Sequence, residues 1–203
     1  MKPEIEAKFL HIDHDELRTK LRAAKATCVH PMRLMRRNMF DYPDERFRTS
    51  RPRKILRLRD EGDRVVLTYK QDSTDSNYVQ ELETTVGDFA ATTQLLEAIG
   101  LENYGVIEQK RETWQFGKVE VMLDEWPWAD PFLEIEGPSE VAIRMAAEPL
   151  GFSWTDAKFG GPNVVYRNEY PGMSQDDNVN SLSELLFGDS LPEFFQERLQ
   201  PMR

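Results

Sequence analysis

Charged and apolar residues alternate along several short segments of the chain, and an alternation with a period of two predicts β-strands. In residues 3–10, one face of such a strand would carry Glu4, Glu6 and Lys8, and the other face would be apolar. For one segment alone, the ordinary interpretation is a half-buried strand with its charges in water. The alternation recurs on later segments, however, and this favours a shared location for the charged faces.

The same pattern predicts the other elements. Further strands are expected at 29–41, 54–59, 65–70, 78–86, 106–116, 119–125 and 132–136, with a short last strand near 164–166. Amphipathic helices are expected at 13–24, 88–99 and 139–150, the first two capped by Asp13 and Asp88. Between 54–59 and 65–70, the residues Glu61, Gly62 and Asp63 predict a hairpin turn.

The apolar faces of these strands need cover, because they would otherwise form large exposed patches. Helices packed on the apolar faces leave the charged faces pointing elsewhere. An α+β fold satisfies both conditions: a closed antiparallel β-barrel with helices on its outside and charged side chains inside. A charged interior is costly unless its charges pair or bind a ligand. Cations on some strands are therefore expected to face carboxylates on others.

The composition narrows the function. The net charge of −10, from 26 Lys and Arg against 36 Asp and Glu, disfavours a nucleic-acid partner. No apolar run is long enough to cross a membrane, and the first residues do not resemble a signal peptide, so no membrane partner is expected. The single cysteine, Cys28, allows no internal disulfide and fits a cytoplasmic protein.

The chain changes character from residue 171 onward, where a polar segment is followed by a net acidic one. We therefore expect a barrel domain at 1–170 and an acidic tail at 171–203 with short amphipathic helices (LSELLF and LPEFFQERL). The tail would pack on the outside of the domain or contact a partner chain. A homodimer is thus an open alternative.

A polyphosphate chain is the ligand that this charged interior suits, because a row of negative charges is best held by forked arginines and by lysines. The candidate phosphate-binding residues are Lys8, Arg37, Arg57, Arg59, Lys70, Arg111 and Lys158. Carboxylates that face the same phosphates need a divalent cation between them, and Mg²⁺ or Mn²⁺ suits an all-oxygen site. The candidate metal ligands are Glu4, Glu6, Asp124, Glu134 and Glu136.

The sequence indicates no dedicated nucleophile. Catalysis is therefore expected to rest on positioning, on the charge of the metal and on a water molecule held by a glutamate. The candidate catalytic residues are Glu6, Lys8 and Glu136, and the remaining residues expected to line the interior are Thr68, Glu81, Glu83 and Gln109.

The ordered set of motifs resembles the CYTH superfamily, also called triphosphate tunnel metalloenzymes, over residues 1–170. The motifs are E-x-E-x-K at Glu4, Glu6 and Lys8, R-x-R at Arg57 and Arg59, L-T-x-K ending at Lys70, the pair Glu81 and Glu83, L-D at Asp124, and E-I-E-G at Glu134 and Glu136. The resemblance implies an eight-stranded antiparallel barrel whose tunnel binds a triphosphate with Mg²⁺ or Mn²⁺.

Two positions depart from the family's pattern. Gln109 occupies an inward position where many members have lysine, and strand parity sends Lys110 outward. On the second strand, Met35 and Arg37 stand where relatives often have polar or acidic residues. Arg37 could compensate for the missing lysine.

The resemblance implies hydrolysis of inorganic triphosphate, thiamine triphosphate or a nucleoside triphosphate. Inorganic triphosphate is the expected substrate, because nothing in the sequence indicates a pocket for a base or a thiazole ring. An adenylyl cyclase that makes cyclic AMP from ATP is one alternative. Non-catalytic binding of polyphosphate or nucleotide is another, and the neutral Gln109 favours it.

Overall fold

A computed structural model describes residues 1–74, 78–188 and 190–200, which form an α+β fold of mainly antiparallel strands with helices. The strands are β1 (Lys2–Pro3), β2 (Glu6–Phe9), β3 (Thr27–Asp41), β4 (Lys54–Asp60), β5 (Val65–Gln71), β6 (Gln80–Val86), β7 (Glu102–Phe116), β8 (Val119–Glu125), β9 (Phe132–Glu136) and β10 (Glu184–Leu185). The helices are α1 (His14–Ala23), α2 (Phe89–Ala98), α3 (Glu140–Ala147), α4 (Asn163–Glu169) and α5 (Glu193–Gln196). None of the helices in the described ranges is long and apolar enough to cross a membrane.

The chain forms two compact units. The first unit consists of Met1–Glu4, Arg33–Gln109 and Asn180–Leu186, and the second of Ile5–Met32, Lys110–Val179 and the described residues from 187 onward. The long strands β3 and β7 each contribute residues to both units.

In the first unit the strands are hydrogen-bonded in the order β1-β6-β5-β4-β3, all antiparallel, and β10 pairs with β7 in parallel. Helix α2 begins after Asp88, whose side chain accepts a hydrogen bond from the Ala91 amide at 2.6 Å. The helix contributes Leu96 to an apolar cluster with Phe40 and Leu58. This cluster covers one face of the sheet and leaves the opposite face to the polar side chains.

In the second unit the order is β7-β8-β9-β2, again antiparallel. Asp13 caps α1 by accepting from the Glu16 amide at 2.8 Å, as the capping pattern predicts. The buried residues of α1 and α3 pack on the apolar face of these strands. The members of this core are Ala7, Phe9, Leu17, Leu21, Trp114, Val119, Val121, Leu123, Leu133, Ile135, Ile143, Ala146, Ala147 and Leu150.

The first predicted strand is interrupted at Glu4 and Ile5, which separate β1 from β2. The two pieces have different partners, since β1 pairs with β6 and β2 pairs with β9. Of the three alternating charged residues, Glu6 and Lys8 therefore lie on β2, and Glu4 lies between the two strands.

Two predicted elements near the C-terminus are wrong. Residues 164–166 belong to helix α4 instead of a strand, and the segment LSELLF contributes β10 instead of a helix. The β-branched Val164 and Val165 favour a strand locally. Tertiary contacts decide otherwise, because the helix buries Val165 and Tyr166 and the Tyr166 hydroxyl donates to the Pro127 carbonyl at 2.8 Å.

The last described segment packs on the second unit. The Phe195 side chain is fully buried, and its ring lies 5.1 Å from that of Tyr166 and 4.7 Å from that of Tyr170, centroid to centroid. Arg198 forms an ion pair with Asp177 at 2.9 Å. Although this segment is net acidic, the buried aromatic side chain of Phe195 attaches it to the second unit.

Candidate active site

The strand register of the first unit places the predicted polar residues on one face. Arg57 lies opposite Thr68, and Thr68 lies opposite Glu83. One step along the same face, Lys70 lies opposite Glu81. Because residues directly opposite each other in antiparallel strands share a face, the predicted parity of these three strands is confirmed.

The lysine cluster consists of Glu4, Arg57, Lys70 and Glu81. The Lys70 ammonium lies 2.5 Å from both carboxylate oxygens of Glu4 and 3.3 Å from Glu81, which is 3.7 Å from Arg57. Two cations and two carboxylates balance in this cluster. Glu4, predicted as a metal ligand, is therefore the ion-pair partner of Lys70 in this structure. Nearby on the same face, the Thr68 hydroxyl donates to Glu83 at 3.2 Å.

The arginine cluster is Glu61 with three guanidinium groups. Arg59 donates to Glu61 through Nε at 2.8 Å and also through Nη2, and Arg33 and Arg64 donate to its other oxygen at 3.0 and 2.8 Å. Glu61 is 1% exposed. Burial alone would raise the pKa of its carboxyl group, but the charges of Arg59 and Arg64 outweigh burial and lower that pKa to about 2. The cluster is thus an ionised carboxylate surrounded by an excess of cations.

Sequence analysis missed Glu61 as a site residue and assigned it only to the hairpin turn. The signal was present, because Glu61 follows Arg57 and Arg59 at the same spacing of two. Its partner Arg64 is three residues away in the same hairpin, whereas Arg33 on β3 is distant in the chain and reaches Glu61 only in the folded structure.

Arg37 and Gln109 are in contact in the first unit, and Arg37 Nη2 donates to the Gln109 side-chain carbonyl. Both side chains are buried, with residue exposures of 5% and 1%. Arg37 also lies directly opposite Arg59 in the register of β3 and β4. Gln109 is therefore buried, and its predicted place in the lining of the tunnel stays a prediction. Lys110 faces outward as predicted, since its side chain is 41% exposed and pairs with Glu125 at 3.2 Å.

The carboxylate cluster lies in the second unit and consists of Glu6, Lys8, Arg111, Asp124 and Glu134. Lys8 lies 2.5 Å from Glu6 and 3.1 Å from Glu134. Arg111 holds Asp124 through two hydrogen bonds of 2.7 and 2.5 Å and lies 3.2 Å from Glu134. Three carboxylates thus share two cations, and Glu134 contacts both of them.

Burial and charge act in opposite directions in the carboxylate cluster. Burial would lower the pKa of Lys8, but Glu134 and Glu6 outweigh burial and raise it. Burial would raise the pKa of Glu134, but Lys8 and Arg111 hold it well below its usual value. At Asp124 burial prevails over the charge of Arg111, so its pKa is raised. The cluster therefore stabilises the negative charge of Glu134 more than that of Asp124.

Glu136 extends this face. It lies directly opposite both Glu6 on β2 and Glu120 on β8, as Glu134 lies opposite Lys8. The oxygen atoms of Glu6, Glu134 and Glu136 are the ligand type that Mg²⁺ and Mn²⁺ prefer, and the excess of negative charge favours a cation, so these residues fit a metal. Asp124 fits less directly, because Arg111 engages both of its oxygens.

Lys158, predicted to bind substrate, approaches Lys8 through the backbone. The two residues exchange a pair of backbone hydrogen bonds of 2.9 Å, while the side chain of Lys158 is exposed. Its predicted role stays a prediction.

A separate acidic group with a histidine lies at the surface of the second unit. His11 Nδ1 lies 3.2 Å from Asp130 and 3.8 Å from Glu169, and its Nε2 lies 2.7 Å from the Asn168 amide. The ligand atoms of His11, Asp130 and Glu169 are close enough together to hold a metal ion. Both ring nitrogens already have partners, so the group also serves as a hydrogen-bonded link between these segments.

Comparison with solved structures finds the fold in proteins of low sequence identity. The PH1012 protein of Pyrococcus horikoshii OT3 is 23% identical, with 80% of this chain and 98% of that chain covered and a TM-score of 0.63. A Vibrio parahaemolyticus protein, provisionally described as an adenylate cyclase, is 16% identical, with 81% and 97% covered and a TM-score of 0.70. HpAC1 of Hippeastrum, provisionally described as an adenylyl cyclase and said to have a dominant triphosphatase activity, is 15% identical, with 83% and 96% covered and a TM-score of 0.53.

A comparison with curated proteins finds no match. The profile of the CYTH domain, by contrast, matches residues 2–152, well over half of the chain. This range contains every member of the lysine, arginine and carboxylate clusters. The chain therefore belongs to the CYTH domain family.

Proposed function

We propose that the protein hydrolyses a triphosphate with the help of Mg²⁺ or Mn²⁺, and that inorganic triphosphate is its substrate. The observation that carries this proposal is the opposite sign of the excess charge in two clusters. In the arginine cluster three guanidinium groups surround one carboxylate, and in the carboxylate cluster three carboxylates share two cations. A phosphate chain would supply an anion for the first cluster, and a divalent metal would supply a cation for the second.

In this proposal, the cations bind the phosphate oxygens. Arg57, Arg59 and Lys70 hold the phosphate chain, assisted by Arg37, Lys8 and Arg111, and Lys158 adds a cation at the surface. Forked guanidinium groups match the oxygens of a phosphoryl group in pairs, which fixes orientation as well as charge. The carboxylates that pair with these cations in this structure, such as Glu4 and Glu81, would give way to phosphate oxygens of higher charge.

Glu6, Glu134 and Glu136 would hold the metal, with Asp124 joining through a water molecule and Glu4 as a further candidate. The bound metal supplies positive charge where the transferred phosphoryl group accumulates negative charge. Glu136 and Glu6 orient the attacking water, and Lys8 neutralises the leaving phosphate. Glu83, Thr68 and Gln109 complete the polar lining.

We further propose that the strands close into the eight-stranded barrel expected from sequence, in a cytoplasmic protein. The antiparallel strand order within each unit and membership of the CYTH domain family support this proposal. The lone Cys28 supports a reducing compartment.

Family membership supports the substrate class, because CYTH proteins act on triphosphates as triphosphatases or cyclases. The triphosphatase activity ascribed to the Hippeastrum protein favours hydrolysis. The description of the Vibrio protein favours the alternative, cyclisation of ATP. Binding of a polyphosphate without catalysis is the third candidate function. The neutral Gln109, at a position where many family members have lysine, supports it.

A substrate panel separates these functions. Purified protein is incubated with Mg²⁺ or Mn²⁺ and with inorganic triphosphate, thiamine triphosphate or ATP. Orthophosphate from inorganic triphosphate is the expected product. Cyclic AMP with pyrophosphate would identify a cyclase, and binding without turnover would identify a non-catalytic protein.

Substitutions assign the roles. Glu6→Gln or Glu136→Gln is expected to lower kcat more than it weakens substrate binding, because each alters metal placement. Arg59→Ala is expected mainly to raise KM, because it loosens the hold on phosphate. Arg46→Ala is the matched control, since Arg46 is exposed and paired with Asp44. Wild-type rates in the Glu6→Gln/Glu136→Gln double variant would refute the metal assignment.

A further inference from the structure

The side-chain amide of Gln109 has one satisfied end and one unsatisfied end. Its carbonyl oxygen accepts from Arg37 Nη2, and the residue is 1% exposed. Its Nε2 group is buried and has no hydrogen-bond partner within the described residues of the chain. Buried polar groups almost always have partners, so this amide is an exception that requires an explanation.

Arg37 fixes the direction of this amide. A guanidinium group has donors and no acceptor, so a flipped Gln109 would place its own NH₂ against the Arg37 donors. The flipped orientation would lose the hydrogen bond and set two donors against each other. Nε2 must therefore point away from Arg37 and must act as a donor.

The surroundings of the amide favour an anionic acceptor. Arg37 lies directly opposite Arg59, which belongs to the cation-rich arginine cluster. An unsatisfied buried donor costs about as much as a lost hydrogen bond, and a charged acceptor would recover more than a neutral one. An oxygen of a phosphate group meets both requirements.

We propose that Gln109 binds the triphosphate by donating from Nε2 to a phosphate oxygen, and that Arg37 is the positioning residue that aims this donor. The proposal rests on the function proposed above. A lysine at this position would bind phosphate through a charge that acts in all directions. The amide adds no charge and donates along one direction, so Gln109 selects the position of an oxygen rather than the total charge of the ligand.

The first test measures binding of inorganic triphosphate in the presence of MgCl₂ by calorimetry. Gln109→Met removes the amide at similar volume, and binding is expected to weaken about tenfold, the value of one hydrogen bond to a charged group. Gln109→Glu keeps an acceptor for Arg37, removes the donor and adds a negative charge. It is expected to weaken binding further while the melting temperature stays equal or rises.

Gln115→Met is the matched control on the same strand. The Gln115 amide donates to the backbone carbonyls of Gly117 and Val119, both at 3.0 Å, so its donors have partners in the chain. Its affinity for triphosphate is expected to equal that of the wild type. If both Gln109 variants bind triphosphate within about twofold of the wild type, the role of Gln109 is wrong and the proposed function stands. If the wild type itself binds no triphosphate, both proposals fail.

A double-mutant cycle tests the positioning role of Arg37. Arg37→Lys keeps the charge and removes the planar fork, so Gln109 is no longer aimed. The loss caused by Gln109→Met is then expected to shrink in the Arg37→Lys background. Losses that multiply independently would show that Arg37 does not position Gln109.

Discussion

The arginine cluster of the first unit and the carboxylate cluster of the second unit are built by the same rule and carry opposite charge. In each, the alternation of a strand places ionisable side chains on one face and apolar side chains against helices on the other. Each also buries a central glutamate, Glu61 in one and Glu134 in the other, between at least two cations. With that glutamate counted, cations outnumber carboxylates in the first cluster and carboxylates outnumber cations in the second.

The two clusters also differ in depth. In the arginine cluster the Arg64 side chain is 49% exposed, whereas Asp124 in the carboxylate cluster has no exposed side-chain surface. Water can screen the excess charge of the first cluster, but it screens the second poorly. The difference teaches that the carboxylate cluster depends more strongly on its internal ion pairs than the arginine cluster does.

The largest effect is expected from the centre of the carboxylate cluster. Glu134→Gln leaves Lys8 and Arg111 buried with one fewer charged partner. Removing one partner of a buried pair costs about 3 kcal/mol or more in the free energy of unfolding. Urea unfolding monitored by circular dichroism at neutral pH measures this loss.

Asp124→Asn is the control within the same cluster. The pKa of Asp124 is raised by burial whereas that of Glu134 is lowered by its cations, so a neutral amide at position 124 should cost less. Glu120→Gln, at an exposed position of β8, should change stability by no more than about 0.5 kcal/mol. Equal losses for Glu134→Gln and Asp124→Asn would contradict the ranking of the two carboxylates.

The next largest effect is expected on the melting temperature when Mn²⁺ and triphosphate are each added separately to variants of the two clusters. A ligand at about 100 times its dissociation constant stabilises the folded protein by about 2.7 kcal/mol. Mn²⁺ alone should raise the melting temperature of the wild type and of Arg59→Ala, but not of the Glu6→Gln/Glu136→Gln variant. Triphosphate without metal should stabilise that double variant and should not stabilise Arg59→Ala.

Thermal unfolding followed by fluorescence measures both shifts, and Arg46→Ala serves as the control for Arg59→Ala. If both ligands lose their effect in the same variant, the division of labour between the two clusters is refuted. A shift with Mn²⁺ that survives loss of Glu6 and Glu136 would place the metal elsewhere, and His11, Asp130 and Glu169 would be the next residues to test.

Much of the candidate site could be predicted because strand parity is local. The spacing of Arg57 and Arg59, and that of Glu134 and Glu136, fixes their faces without knowledge of any other strand. The register then confirms these faces at Thr68 and Lys8, which lie opposite predicted partners.

The features of the site and fold that the sequence did not predict depend on contacts between segments that are distant in the chain. Arg33 is 28 residues from Glu61 and reaches it only in the folded structure, so the sequence of the hairpin turn did not indicate that Glu61 is the centre of a buried cluster. The contact of Arg37 with Gln109 joins residues far apart in sequence. At Val165 and Tyr166 the local preference for a strand is overridden by burial in a helix.

The last prediction concerns the pH dependence of the arginine cluster. The folded pKa of Glu61 is about 2, below its ordinary value of 4.5, so ionised Glu61 contributes stability above about pH 4.5 that is lost as the pH falls towards 2. The difference in free energy of unfolding between the wild type and Glu61→Gln should therefore be constant near neutral pH and shrink between pH 4.5 and 2.

Urea unfolding at a series of pH values measures this difference. Adding 0.5 M NaCl should change it little, because Glu61 is buried. A difference that stays constant down to pH 2 would show that the three arginines do not stabilise the Glu61 charge. The arginine cluster would then no longer serve as the cation-rich counterpart of the carboxylate cluster.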